Sequence, residues 1–136
     1  MESSYFSIVI SQIDWVWFAF SVVAAFAVGA LWYSLLFFNT WRAVFKVDMP
    51  DQNSPLGWIR SFIIQFVTGS MLGLLCFTLA SISVGFAIFA VVTIAGWQMC
   101  AITFKYGDWK QFLQAVMIES GYTLASGFIY ILFSQF

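Results

Sequence analysis

Long apolar runs at residues 15–38, 61–81, 84–104 and 111–133 divide the chain. Each is close to the 20 or so residues that a helix needs to cross a bilayer. The first, Trp15 to Phe38, has no charged residue and ends in aromatics. The second and third are parted only around Ile82 and Ser83, where Ser81, Ser83 and Gly85 suit a tight helical turn. A single helix over 61–104 would exceed the bilayer about twofold at about 1.5 Å per residue, so two helices are predicted there. The fourth run holds one charge, Glu119. The pattern predicts an all-α integral membrane protein, a four-transmembrane-helix bundle forming a single domain over 1–136.

The gaps between the runs carry the polar chemistry. In the longer one, Trp41, Val44 and Phe45 share a helical face, with Arg42 and Lys46 beside it at i, i+4. This reads as a short interfacial helix lying among headgroups between helices 1 and 2; a plain loop is the alternative. Asp48, Pro50, Asp51, Asn53, Ser54 and Pro55 then turn the chain back. All the basic residues, Arg42, Lys46, Arg60, Lys105 and Lys110, fall in the gaps at 39–60 and 105–110 or at their edges, on one side of a four-span chain. The positive-inside rule makes that side cytoplasmic and puts both termini outside. Residues 1–14 hold Glu2 and Asp14 but no Lys or Arg, so they read as a short acidic tail rather than a signal peptide. Asp14 can reach water or cap the first span. Trp15, Trp17, Trp41, Trp58 and Trp109 mark the interfaces. The junctions Phe38-Trp41-Arg42-Phe45 and Phe104-Trp109-Lys110-Phe112 echo each other. A duplicated hairpin would do this, and so would shared topology alone.

Composition narrows the class. Hydrophobic residues make up 62% of the chain and charged residues 8%, against about 25% charged in soluble domains. A net charge of −1 offers no basic patch for nucleic acid. Histidine is absent, which removes the commonest metal ligand and general base together. Cys76 and Cys100 lie in different runs without CxxC spacing and read as inert apolar thiols. No cofactor or metal is expected.

Helices in lipid associate through close packing and hydrogen bonds rather than hydrophobicity. Each run shows small residues at that spacing: Ser21, Ala25 and Gly29; Gly69 and Gly73 flanked by Thr68, Cys76 and Ala80; Thr93, Gly96, Cys100 and Thr103; Gly121 and Ala125. Whether one stripe serves a second copy is open at this level. The polar residues form a candidate intramembrane cluster: Glu119, Tyr122, Gln98, Tyr33, Trp32 and Gln65. Glu119 lies nine residues past Lys110, roughly 13 Å into the fourth helix. An unpaired carboxylate at mid-membrane costs at least about 2.5–3.5 kcal/mol. Glu119 must therefore be protonated, hydrogen-bonded or hydrated. Interhelical glue, bonded to Gln98, Tyr33 or a carbonyl, and a functional carboxylate are two readings of it.

Gly29-Ala30-Leu31-Trp32-Tyr33-Ser34, with Phe37, Phe38 and Trp41 behind it, resembles the opening motif of a bacterial family of small four-span proteins, domain of unknown function 1761. Glu119-Ser120-Gly121-Tyr122-Thr123 is similar to its second motif. That family's pattern has Pro after the Trp-Tyr-Ser and His after the Gly-Tyr, where this chain has Leu35 and Thr123. A titrating imidazole beside the acidic residue is thus lacking here. The resemblance implies a bacterial inner (cytoplasmic) membrane location and no particular activity.

With no nucleotide motif, metal cluster or His-based dyad, the expected function is not enzymatic. It is a membrane module, either an accessory subunit of a larger complex or a self-associating bundle. The alternative is a small proton-coupled transporter in which Glu119 exchanges a proton for a cationic or aromatic solute. An intramembrane enzyme is disfavoured, because a serine nucleophile needs a base that Glu119 poorly supplies. Expected partners are membrane lipids and either a second copy or another membrane subunit.

Overall fold

The computed structural model describes residues 2–45 and 55–136. In chain order these form α1 (Glu2–Ser11), α2 (Trp15–Leu31), a π-helical turn (Trp32–Leu36), α3 (Phe38–Phe45), α4 (Pro55–Ile82), α5 (Val84–Thr103) and α6 (Trp109–Phe133). Four segments are long and apolar enough to cross a membrane: Trp15–Leu36, Phe62–Ile82, Val84–Thr103 and Trp109–Phe133.

The helix starts follow from local chemistry. The first amides of a helix lack partners within it. Asp14 supplies one by accepting from the Val16 and Trp17 amides at 3.0 and 3.3 Å. Ser83, the one residue between α4 and α5, accepts from Gly85 N at 3.2 Å, so a single cap closes the hairpin. Asp108 accepts from Gln111 N at 3.2 Å and starts α6. Pro55 opens α4, where its missing N–H costs nothing.

Three elements differ from the sequence pattern. The N-terminal segment forms α1 rather than a bare tail, and α1 touches α4. The first span does not run as one α-helix to Phe38. At its end the Phe37 amide reaches back five residues to the Trp32 carbonyl, at 3.0 Å. The apolar face of α3 meets protein rather than lipid alone: Val44 is buried with Ile102 and Ala115, and Phe45 packs edge-on against Tyr106. Arg42 stays exposed and sits 5.5 Å over the Phe38 ring. Lys46 and the predicted breakers Asp48 to Ser54 lie outside the described residues.

Among the described residues, α2 and α5 each pack against both α4 and α6, α4 and α6 touch across the middle, and α2 and α5 do not meet. The cross-section is therefore a rhombus with α4 and α6 on its short diagonal. One apolar cluster, built on Val22, Ala25, Cys76, Phe77, Val91 and Tyr130, fills the end near the α4–α5 turn. The smaller one around Val44, Ile102 and Ala115 fills the other end. Between them lies a polar layer centred on residues 118–123 of α6.

Candidate functional site

The polar layer is built by α6 turning hydrogen-bonding groups to both flanks. Toward α5, the Ser120 hydroxyl donates to the Ala95 carbonyl at 3.1 Å, and the Thr123 hydroxyl lies 2.8 Å from Gln98 Oε1. Toward α2, the Tyr122 hydroxyl donates to the Ala25 carbonyl at 3.1 Å. The Trp32 indole N–H donates to the Ile118 carbonyl at 3.1 Å, and the Tyr33 hydroxyl reaches Glu119 Oε1 at 3.5 Å. In hydrocarbon these donors have no water to turn to, so each bond fixes a helix rotation.

The π-helical turn aims Trp32 and Tyr33. By widening one turn, it lets two consecutive aromatic side chains both reach α6, and such turns often occur at functional positions. Tyr33 stands nearly perpendicular to Tyr122 (centroids 5.5 Å apart) and to Trp41 of α3 (6.2 Å). Trp32 packs on Phe37 at 5.0 Å. Glu119 is half-buried beside these rings. Its Oε1 faces the Tyr33 hydroxyl, while Oε2 has no hydrogen-bond partner among the described residues. Lys105 lies within electrostatic reach of Glu119 without forming an ion pair to it. Burial first, and the Glu119 charge second, push the Tyr106 phenol above its ordinary pKa. The carboxylate thus faces the α3 and 105–108 end of the bundle rather than its centre.

Of the residues singled out from sequence, Trp32, Tyr33, Glu119 and Tyr122 come together. Gln98 is in the same layer but takes the Thr123 hydroxyl, not Glu119. Gln65 is exposed on α4, where its carbonyl accepts from Thr68. Trp41 joins the cluster from α3, although its sequence suggested an interfacial role, and Ser120 and Thr123 act as connectors. The periodicity of α6 contained a signal for Ser120 and Thr123, since both lie within one turn of Glu119.

The small-residue stripes fare differently. A Cβ on Gly29 would lie 2.6 Å from the Tyr122 hydroxyl, on Gly73 2.6 Å from the Tyr130 ring, and on Gly121 3.1 Å from Trp32. Gly69 is looser, 3.5 Å from the Tyr130 hydroxyl. Gly96 is open, with nothing within 4 Å of such an atom. At the far end, a cavity of about 310 Å³ is lined by Gln12, Asp14, Phe77, Ser81 and the 133–136 segment. Its one acid, Asp14, already caps α2. Among the described residues no group of three or more Cys, Asp or Glu could hold a metal ion.

Four apolar spans, pinned to one another by a polar layer, define a small multi-pass membrane protein. A family model described as "Protein of unknown function (DUF1761)" matches residues 16–133, and the chain belongs to that family. No curated protein and no solved structure matches it.

Proposed function

We propose that this chain is a non-enzymatic membrane module that pairs with a second copy of itself through α5. The observation that carries the reading is the outward stripe Thr93, Gly96, Cys100 and Thr103. Thr93, Cys100 and Thr103 are exposed, and Gly96 meets nothing within 4 Å. On α2, by contrast, Ser21, Ala25 and Gly29 are all buried inside the bundle, as are Gly73 and Cys76 on α4. Small residues let helix backbones approach closely, and in lipid that approach is what drives association. The Thr93 and Thr103 hydroxyls bond their own helix, to Phe89 O and Met99 O, so the face presents few unmet donors to a partner.

Location and orientation belong to the same reading. The module sits in a bacterial inner membrane, as the family resemblance suggests, with the 39–60 and 105–110 segments cytoplasmic. The support for the orientation is the confinement of every Lys and Arg to that end.

Pairing is tested by cross-linking at Cys100 in native membranes, with the buried Cys76 replaced by Ala. Oxidation should give a covalent dimer at least about tenfold faster than in a Cys100→Ala, Met117→Cys control, where the thiol is on the α6 surface. Gly96→Leu should remove the dimer. Equal rates at Cys100 and Met117→Cys would overturn the proposal.

A transport reading rests on a different observation, the contact of Glu119 with Tyr33 beside the Tyr122 ring. It expects Glu119→Gln to abolish proton-driven uptake into vesicles while the fold stays intact. Uptake that survives this substitution would remove the reading.

A further inference from the structure

We propose that the Glu119 carboxylate and the rings of Tyr33, Trp41 and Tyr122 form a binding site for an organic ammonium ion. The inference depends neither on pairing through α5 nor on transport.

Three observations converge on it. First, one oxygen of the carboxylate has a protein partner and the other has none among the described residues, although the side chain is half-buried in a membrane segment. A carboxylate held in lipid calls for a counter-charge or a proton, and among the described residues no Lys or Arg is paired with it: Lys110, the basic residue within the four spans, sits in the first turn of α6, nine residues before Glu119. Second, the nearby walls are aromatic. Tyr33, whose hydroxyl meets the acid, packs near-perpendicular to both Trp41 and Tyr122, at interplanar angles of 71° and 67°, so the acid lies at the edge of an aromatic cluster. Ring faces attract cations through their quadrupole, most strongly where water is excluded. Third, the rings come from three separate elements that local structure brings together: the π-helical turn, α3 and α6. Burial of Val44 against Ile102 and Ala115 holds α3 over this end of the bundle.

The same features select the class of cation. An inorganic ion such as Ca²⁺ or Mg²⁺ needs about six or more oxygen ligands. Here the acidic oxygens come from Glu119 alone, with one phenol beside them, and no metal-ligand cluster is present among the described residues. An ammonium bearing carbon substituents needs only one charge partner and apolar or aromatic walls, which are what this site offers. Lys105, within electrostatic reach but outside the spans, would repel such an ion and set an upper limit on its affinity.

The test uses the full chain in mild detergent at pH 8, with benzyltrimethylammonium as probe. Its neutral isostere, neopentylbenzene, serves as the control for simple partitioning, and binding is read by calorimetry. The ammonium should bind saturably while the isostere does not. Glu119→Gln should weaken binding about tenfold or more, since it removes the counter-charge to a cation that has no N–H to donate. Trp41→Leu, at a half-buried position on α3, should weaken the ammonium severalfold without unfolding the bundle. It decides the matter if Glu119→Gln fails to fold. Equal binding of the ammonium and its isostere, or unchanged affinity in both variants, would overturn the proposal.

Discussion

Three glycines show how differently the same residue type is used. Gly127 faces Val91, whose Cγ1 would lie 2.5 Å from an added Cβ and whose Cβ would lie 3.1 Å away. Valine is stiff and short, so it cannot swing clear. Gly127→Ala should therefore lower stability in detergent by about 1–3 kcal/mol, the usual cost of overpacking. At Gly29 the obstacle is the far end of Tyr122, which can move if it gives up its bond to the Ala25 carbonyl. Gly29→Ala should cost about 1 kcal/mol, the net worth of one such bond. Gly96→Ala should change the stability of a single chain by no more than about 0.5 kcal/mol, as at an ordinary surface position. Thermal unfolding of the three variants side by side checks the order. If Gly96→Ala proves the most damaging, α5 is not the outward face described above. Sequence spacing finds Gly29 and Gly96 as small-residue positions and passes over Gly127. It cannot rank them, because the rank depends on what stands opposite, and Val91 and Tyr122 reach their places only through the packing of the whole bundle.

The helices themselves are largely legible, because hydrophobic length in a bilayer leaves little freedom. The Ser83 turn and the Asp14 cap follow from side-chain chemistry within four residues. What stays hidden is the π-helical turn, whose five residues, Trp-Tyr-Ser-Leu-Leu, have no composition that sets them apart from an α-helical segment. Its presence matters because one extra residue per turn changes the direction in which α3 leaves. Deleting the exposed Leu35 should restore ordinary i to i+4 bonding and draw α3 toward α2 by about one residue's rise, about 1.5 Å, with its exit angle changed. Trp41 would then leave Tyr33, and the near-ultraviolet circular dichroism from that aromatic pair should be lost while the helical signal persists. An unchanged aromatic signal would mean that α3 is placed by Val44 and Phe45 rather than by the turn. The candidate site was half legible for the same reason. Trp32, Tyr33, Glu119 and Tyr122 share a depth that counting residues reveals. Trp41 arrives from beyond the turn, and Gln65 was misled by depth alone, since it points away from α6.

In the molecule as a whole, α6 touches every other span, and α2 and α5 sit apart on opposite corners. The two ends differ chemically: Arg42, Arg60, Lys105 and Lys110 gather at one, and the Ser83 turn lies at the other. The proposed orientation makes a direct prediction in a background with both native cysteines replaced. Gly107→Cys should react with an impermeant thiol reagent only from the cytoplasmic side, and Gln135→Cys only from outside. The reverse pattern would invert the orientation while leaving the bundle unchanged. The central place of α6 also has a consequence for how the protein is made. It is translated after the other three spans, yet the Trp32 indole, the Gln98 amide and the carbonyls of Ala25 and Ala95 all find their partners on it. Until α6 emerges, the Trp32 indole and the Gln98 amide lack these partners in lipid, while the Ala25 and Ala95 carbonyls keep the bonds of their own helices. A chain cut short before residue 109 would lose every contact that α6 makes with the other spans, so the first three spans alone should hold together far less firmly than the full bundle.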